Sequence, residues 1–163
     1  AHLLPKRFPH AQLTEALPEQ FLDRVAPDAH TAVVLMSHDY HKDLAILKEA
    51  IHTHARYIGV LGPKKRGVKM REDLQKMGIE LTNNQEARFF NPMGLDIGAE
   101  TPEEIAVSVI GEIQAVFAGR EGGMLKKRQG HIHERTVYGD IPAGVNDEEI
   151  NYSCSLRPAS PDA

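Results

Sequence analysis

The sequence has 163 residues, of which 41% are hydrophobic, and this is sufficient for one ordinary core with an irregular tail. A formal net charge of -4 and an isoelectric point near 6.1 argue against a protein that mainly binds nucleic acid or coats an anionic membrane. There is no apolar run of membrane-spanning length and no secretory signal. The lone Cys154 excludes an internal disulfide and fits a reducing compartment, so we predict a cytoplasmic protein.

Strands and helices alternate along the first half of the chain. The opening segment 1–11 begins with alanine and has neither a helical nor a strand period, so we expect a fragment or a processed piece. In chain order the sequence then predicts a strand over 11–17, a helix over 18–25, a buried strand over 31–37, a helix over 39–54, a strand over 56–62 and a helix over 63–78. Asp39 is the expected cap of one helix and Gly78 the expected end of another. The apolar face predicted for the 63–78 helix consists of Val68, Arg71, Leu74 and Met77.

The last helix has the strongest start signals of the chain. Thr101 is the expected cap, Pro102 occupies the first helical position and Glu104 completes a capping box. The helix should end at Gly119 and pack firmly against the sheet. Its predicted apolar face is formed by Ile105, Val109, Ile110, Ile113, Val116 and Phe117.

These patterns predict an α/β domain over residues 1–119, built on a parallel sheet with helices on both faces. Residues 120–163 are rich in Gly, Pro and charge and are predicted to form an irregular basic and polar tail. In such a sheet, ligands bind where the loops after the strands gather. The loops "SHDYHKD", "GPKKR" and "NPMGLDIGAET" are therefore expected to share one edge.

The "GPKKR" loop predicts an anion site. The cations of Lys64, Lys65 and Arg66 would oppose the dipole of the helix that they begin, and a bound phosphate would offset that repulsion. Gly62 would let the backbone approach the anion, whereas Pro63 removes one amide donor. The alternative is that these long side chains simply extend into solvent.

The "SHDYHKD" loop places four potential metal ligands close together, but on a helix they would fan outward rather than converge. The four are His38, Asp39, His41 and Asp43. No H-E-x-x-H motif or cysteine pair accompanies them. We therefore predict no metal site, and we assign polar ligand contacts to His38 and Asp39, the residues nearest the end of the strand.

The "NPMGLDIGAET" loop holds a single carboxylate, Asp96, between Gly94 and Gly98. Glycines at this spacing permit tight turns and close backbone approach, and Asp96 could accept hydrogen bonds from ligand hydroxyl or amino groups. Alternatively, the loop is a rigid elbow in which Asp96 bonds its own backbone. No serine has an evident base partner, so we predict no catalytic residue.

Residues 31–117 resemble the XdhC/CoxI family, the xanthine dehydrogenase accessory factors, in their C-terminal Rossmann-like domain. The resemblance is carried by "TAVVLMSHDYHKDLAIL", "RYIGVLGPKKR" and "NPMGLDIGAETPEEIAVSVIGEI", and the segment "GREGGMLKKRQGHIHER" is similar to the usual end of that family. The resemblance implies an accessory protein rather than an enzyme. It would bind the molybdenum cofactor, assist its sulfuration and pass it to a molybdenum hydroxylase apo-enzyme, with a cysteine desulfurase as a further partner.

The family usually has a Gly-rich first unit and a further N-terminal domain with a cysteine, and this sequence contains neither. A sheet without its first unit would expose an edge, so we expect either that the missing part is a separate chain or disordered, or that the chain pairs with another copy of itself as a homo-oligomer. Pro63 stands where the family commonly has serine. Two other functions remain open, a nicotinamide-dependent oxidoreductase fragment that binds NAD(P) and a protein-interaction module without a small ligand. The absence of a G-x-G-x-x-G motif speaks against the oxidoreductase.

Overall fold

Three parallel strands form the sheet at the centre of the fold. The computed structural model describes residues 9–130 and residue 132, and its strands are β1 (Ala32–Leu35), β2 (Tyr57–Val60) and β3 (Phe89–Phe90) in the order β1-β2-β3. Val33 pairs with Ile58, and Ile58 pairs with Phe89 on its other side. The two strands predicted over 31–37 and 56–62 are confirmed, whereas the two-residue strand β3 has no counterpart in the sequence analysis.

The helices follow the predicted alternation. A 3₁₀ turn (Pro18–Gln20) leads into α1 (Phe21–Arg24), and the longer helices are α2 (Tyr40–Ala50), α3 (Lys64–Lys76) and α5 (Pro102–Phe117). The short helix α4 (Asn83–Ala87) was not predicted, although Thr82 and Gln85 form a capping box at its start. The predicted caps of α2 and α5 are present, and Gly78 follows α3 with φ +81.

The strand predicted over 11–17 is wrong. The segment contains no strand, and its leucines stay in contact with solvent, with Leu13 38% and Leu17 64% exposed. A strand needs a neighbouring strand to receive its backbone hydrogen bonds, and in the described residues this segment pairs with none.

One face of the sheet carries the main core. Val33, Ile58 and Phe89 lie in one row across the three strands, and α2 and α3 both pack on this side. The helices contribute buried side chains on one stripe each: Leu44, Leu47, Ala50 and Ile51 from α2 with its C-cap, and Met70 and Leu74 from α3. Burying this apolar surface is the dominant favourable contribution to the fold.

The inward face of α3 differs from the predicted one. Its buried residues are Gly67, Met70 and Leu74, while Val68 is 46% and Met77 is 56% exposed. The spacing of 67, 70 and 74 is also helical, and it is rotated by about one residue from the predicted stripe. Gly67 determines the rotation, because it lies so close to the Asn91 side chain that no larger residue would fit.

The other face of the sheet is covered by α5. Tyr57 and Phe90 stack on this side, with ring centroids 4.5 Å apart, and the Tyr57 hydroxyl donates a 2.6 Å hydrogen bond to Glu112 of α5. Helices on both faces of the sheet are thus confirmed. The firm packing predicted for α5 is wrong, however, because only Ser108 and Val109 of this helix are buried.

Contacts divide the chain into two compact units, of which the first ends at Met124 and the second begins at Leu125. The second contains a 3₁₀ turn (Leu125–Lys127). The predicted boundary at residue 119 remains a prediction, and most of the tail, including Cys154, lies outside the described residues. Within the described residues, no helix is both long and apolar enough to cross a membrane.

Arg88, directly before β3, links the sheet to the C-terminal end of α2 and the loop that follows it. Its guanidinium donates hydrogen bonds to the backbone carbonyls of Ile51 at 3.2 Å, Thr53 at 3.0 Å and Ala55 at 2.5 Å. The carbonyls at the end of a helix have no partner within the helix and carry its negative pole. Ile51 is the C-cap of α2, so Arg88 places its cation at this pole through one carbonyl, while the carbonyls of Thr53 and Ala55 lie in the loop before β2.

Replacing Arg88 with methionine should lower the free energy of unfolding by about 2–4 kcal/mol, because several carbonyls lose a charged donor at once. Urea denaturation of the full chain measures the change. Arg24→Met, at an exposed arginine of α1, is the matched control and should change stability by about 0.5 kcal/mol or less. Equal losses in the two variants would show that Arg88 does not fasten the helix.

Candidate functional site

The loops that follow the three strands lie at one edge of the sheet. Because β1, β2 and β3 are parallel neighbours, their carboxyl ends point the same way. The pairing continues beyond the strands, where the Leu61 amide donates to the Leu35 carbonyl at 2.9 Å. The predicted convergence of residues 37–43, 62–66 and 91–101 at one edge is confirmed, and we call this edge the rim.

Asp43 connects the first two loops of the rim. Its carboxylate, 1% exposed, accepts hydrogen bonds from the Ser37 hydroxyl at 2.6 Å and from the Ser37 backbone amide at 3.3 Å. On its other side it receives the Arg66 guanidinium at 2.7 Å. The buried charge is thus paired and hydrogen-bonded, as a buried carboxylate requires.

The first turn of α3 therefore holds two kinds of cation. Arg66 is 19% exposed at its side chain and is neutralised by Asp43, whereas Lys64 and Lys65 are exposed and have no ion pair within the described part of the chain. The turn contains no acidic residue and no side-chain cap. The repulsion between the helix dipole and the cations is thus relieved at Arg66 only.

The backbone of this turn leaves donors available for a ligand. The Arg66 amide donates to the Pro63 carbonyl at 2.8 Å, but among residues 9–130 no acceptor pairs with the amides of Lys64 and Lys65. Gly62 has φ +130, and a side chain there would meet the Arg66 stem at 2.9 Å. The glycine thus gives Arg66 its path to Asp43.

Tyr40 joins α2 to α3 beside the rim. Its hydroxyl donates to Asp73 at 2.8 Å, and the Lys69 ammonium lies 4.5 Å from the centre of its ring. Burial and the hydrogen bond to Asp73 raise the pKa of Tyr40 to about 12. The phenol therefore stays protonated and keeps donating at neutral pH.

Asn91 connects the second and third loops. Its side-chain oxygen accepts from the Gly67 amide at 2.9 Å, and its side-chain nitrogen donates to the carbonyls of Val60 at 3.1 Å and Gly62 at 3.4 Å. One amide side chain thus bonds the end of β2, the loop after it and the first turns of α3. A cis peptide bond joins Asn91 to Pro92.

Gly94 connects the third loop of the rim, residues 91–101, to helix α5. Its amide donates to Glu112 at 2.8 Å, on the same carboxylate oxygen that receives the Tyr57 hydroxyl. Gly94 has φ +108, and a side chain there would meet the Ser108 hydroxyl at 2.5 Å. Burial, followed by the Glu112 contact, raises the pKa of Tyr57, so the phenol remains a donor.

An open depression of about 460 Å³ lies along residues 92–99, with Ile105 and Ser108 closing one side. Asp96 and Gly98 are exposed on it, and Gly98 has φ +71 with open space around it. In the described residues the Asp96 carboxylate has no hydrogen-bond donor, so the proposed bond to its own backbone is absent. The carboxylate is therefore available to a ligand.

His38 and Asp39 are exposed at the end of β1. Asp39 caps α2 by accepting from the amides of His41 at 3.0 Å and Lys42 at 3.3 Å. This capping role leaves His38 as the freer side chain of the pair. Within residues 9–130, no group of three or more His, Cys, Asp or Glu side chains is arranged to hold a metal ion.

The sequence analysis missed Asn91 and Glu112 and considered Asp43 only as a metal ligand. An asparagine directly before proline is a turn signal but does not reveal which amides it will bond. Glu112 carried one usable signal, because it is a carboxylate on the predicted inward side of an apolar helix. Such a residue must find donors, and here it finds Tyr57 and Gly94.

Comparison with known proteins adds to this geometry. The profile of a family described as the XdhC Rossmann domain matches residues 2–113. A protein of Bacillus subtilis (strain 168) that is named as a probable xanthine dehydrogenase component is 37% identical over 114 residues, which are 69% of this chain and 32% of that protein. The molybdenum cofactor insertion chaperone PaoD of Escherichia coli (strain K12) is 28% identical over 94 residues, which are 58% and 29% of the two chains.

A crystal structure of a xanthine dehydrogenase from Bacillus halodurans has the same fold. It superposes with a TM-score of 0.60 at 29% identity and covers 72% of this chain and 33% of that chain. This chain therefore spans about a third or less of the length of the relatives described here.

Replacing Asp43 with asparagine should lower the free energy of unfolding by about 2–4 kcal/mol, since the Arg66 charge would lose its partner in a largely buried place. The double variant Asp43→Asn/Arg66→Met should lose less than the sum of the single variants. Asp23→Asn, at an exposed carboxylate, is the control for urea denaturation. Additive losses would contradict the coupling between Asp43 and Arg66.

Proposed function

This chain belongs to the XdhC Rossmann domain family, and from that premise we propose that it is the Rossmann-like part of an accessory factor for a molybdenum hydroxylase. In this role it holds the molybdenum cofactor as cargo at the rim and delivers it to the apo-enzyme. The name of one relative, a molybdenum cofactor insertion chaperone, supports this function.

The observation that carries the proposal is the first turn of α3. Two exposed lysines, Lys64 and Lys65, flank two backbone amides that have no acceptor in the described part of the chain. The positive end of the helix dipole adds to their field. The cofactor is a pterin that carries a phosphate, and this turn supplies the charge and the donors that a phosphate needs.

The third loop supplies a different chemistry. The Asp96 carboxylate is exposed on the depression along 92–99, and none of the described residues donates to it. The amino and ring N–H groups of a pterin are donors that such a carboxylate can accept. Gly98, which has open space around it, allows a planar ring to approach the backbone there. We propose that the pterin lies over this loop while the phosphate is bound at α3.

The structural residues of the rim keep these two parts in position. Asp43 holds Arg66 away from the ligand, Asn91 bonds the turn of α3, and Glu112 holds Gly94. We propose that the role of Gly62, Arg66 and Gly94 is to set the shape of the site. His38 and Asp39 lie at its border, at the end of β1.

Sulfuration of the cofactor is the further step implied by the family resemblance. A cysteine desulfurase would supply the sulfur, and the hydroxylase apo-enzyme would receive the finished cofactor. These two proteins are the partners that we propose for the chain.

Binding of the cofactor distinguishes this function from the alternatives. We expect the full chain to retain the molybdenum cofactor, detected as pterin fluorescence after oxidation. If a nicotinamide dinucleotide raises the melting temperature and the molybdenum cofactor does not, the protein is an oxidoreductase fragment. If neither ligand binds, the chain is instead a protein-interaction module without a small ligand.

The double variant Lys64→Ala/Lys65→Ala should bind the cofactor about tenfold or more weakly, because two charged contacts to the phosphate are lost. The difference should shrink as salt is raised, since exposed charges are screened. Stability should be unchanged or slightly higher, because the variant also removes two cations from the positive pole of α3. Equilibrium dialysis and thermal melting measure the two effects.

Lys126→Ala/Lys127→Ala is the matched control, because it removes two adjacent exposed lysines from the second unit. It should leave cofactor affinity within about twofold of the wild type. Equal affinity in wild type and the Lys64→Ala/Lys65→Ala variant would remove these lysines from the site.

Asp96→Asn should weaken cofactor binding about threefold to tenfold, since the amide has one acceptor oxygen and no charge. The melting temperature should change by less than a few degrees, because Asp96 has no hydrogen-bond partner to lose among the described residues. Dialysis and melting with Asp23→Asn as control separate these outcomes. A large loss of stability would instead indicate a rigid elbow that does not contact the ligand.

A further inference from the structure

Helix α5 presents an apolar stripe on the side away from the sheet. Ser108, Val109 and Glu112 point inward, toward the third loop and β2. On the opposite side Val107 is 64% and Ile110 is 65% exposed. We call the following residues the outer stripe, of which the first three are exposed and the last two half-buried: Ala106, Val107, Ile110, Ile113 and Phe117.

Spacing shows that the outer stripe is a continuous seam. Positions 106, 110, 113 and 117 recur every three or four residues, which places them along one side of a helix. The seam spans about three turns, or about 16 Å. Exposed isolated apolar residues are ordinary, but an aligned row of this kind marks an interaction surface.

The charges at the two ends of the stripe indicate what covers it. Glu103 lies in the first turn on the same side and is exposed, with no cation paired to it in the described residues. At the other end the Arg56 guanidinium lies 5.6 Å from the centre of the Phe117 ring and has no carboxylate partner among residues 9–130. The stripe is therefore acidic at its start and basic at its end.

We propose that the outer stripe is the interface between two copies of this chain, whose α5 helices pack antiparallel about a twofold axis at Ile110. Glu103 and Phe117 each lie seven residues from Ile110, about 10 Å along the helix in opposite directions. In an antiparallel pair, Glu103 of each copy comes opposite Phe117 of the other and meets the Arg56 beside it. Val107 likewise comes opposite Ile113.

This arrangement satisfies three physical requirements at once. A twofold interface must be self-complementary, and a stripe with opposite charges at its ends is complementary to its own reverse. Antiparallel helices bring opposite dipole ends together. The seam side chains of the two copies exclude water from one another, which supplies the favourable free energy of association.

Sedimentation equilibrium of the full chain tests the surface. We expect a dimer for the wild type and a shift toward monomer, with a dissociation constant at least about 100-fold higher, for Ile110→Glu. Met77→Glu is the control at the C-cap of α3, where the side chain is also mostly exposed, and this variant should remain dimeric. Circular dichroism should be unchanged in both variants, because both side chains are exposed. Ile110→Gln provides a milder variant if Ile110→Glu fails to fold.

Charge exchange tests the register. Glu103→Arg and Arg56→Glu should each weaken the dimer about threefold or more, and the double variant should restore it to within about twofold of the wild type. A wild type that stays monomeric at about 100 µM would overturn the proposal and leave the stripe to another polypeptide. If Ile110→Glu leaves the dimer unchanged, the outer stripe is not the interface. If the double variant does not restore affinity, the two helices do not pack in the antiparallel register that we propose.

Discussion

The buried carboxylate of Asp43 is the constraint on which the geometry of the rim depends. It bonds Ser37 at the end of β1 and Arg66 in the first turn of α3, so it fixes two strand-to-helix loops relative to each other. A carboxylate with 1% exposure could not remain charged there without both partners. The same contact withdraws the Arg66 charge from solvent, and Lys64 and Lys65 are left as the cations that face outward. The electrostatics of the proposed site therefore follow from the packing of the core beneath it.

Two amide groups in the first turn of α3 have no acceptor among the described residues, whereas the neighbouring donors of the rim are already used. Asn91 takes the Gly67 amide, Glu112 takes that of Gly94, and the Pro63 carbonyl takes that of Arg66. Buried donors are almost always paired in folded proteins, and exposed donors are paired with water. A ligand gains most where it replaces water at fixed donors, since the donors need no reorganisation. The paired donors around this turn thus fix the positions of the two unpaired amides to which we propose that the phosphate binds.

Local signals in the sequence were sufficient for the framework of the fold. The β-branched runs at 31–37 and 56–62 predict buried parallel strands, and Thr101, Pro102 and Glu104 mark the start of α5. Parallel strands then require their loops to share one edge, so the location of the rim was predictable as well. The inward face of α3 could not be predicted in the same way, because it depends on the contact between Gly67 and Asn91, which are 24 residues apart. Strand β3 was missed for a related reason. Two residues carry no period, and only pairing with β2 makes them a strand.

The prediction that α5 packs firmly against the sheet failed in an informative way. Its sequence is apolar over more of its circumference than one sheet contact can cover, and such a helix needs partners on two sides. In this chain the inner side of α5 makes polar contacts that hold the third loop and β2 in place. Ser108 donates to the Leu95 carbonyl, and Glu112 accepts from Tyr57 and Gly94. The helix that supports the third loop of the rim is thus the same helix that carries the outer stripe. The residues that would meet a partner and the residues that hold the third loop therefore lie on opposite sides of one helix, α5.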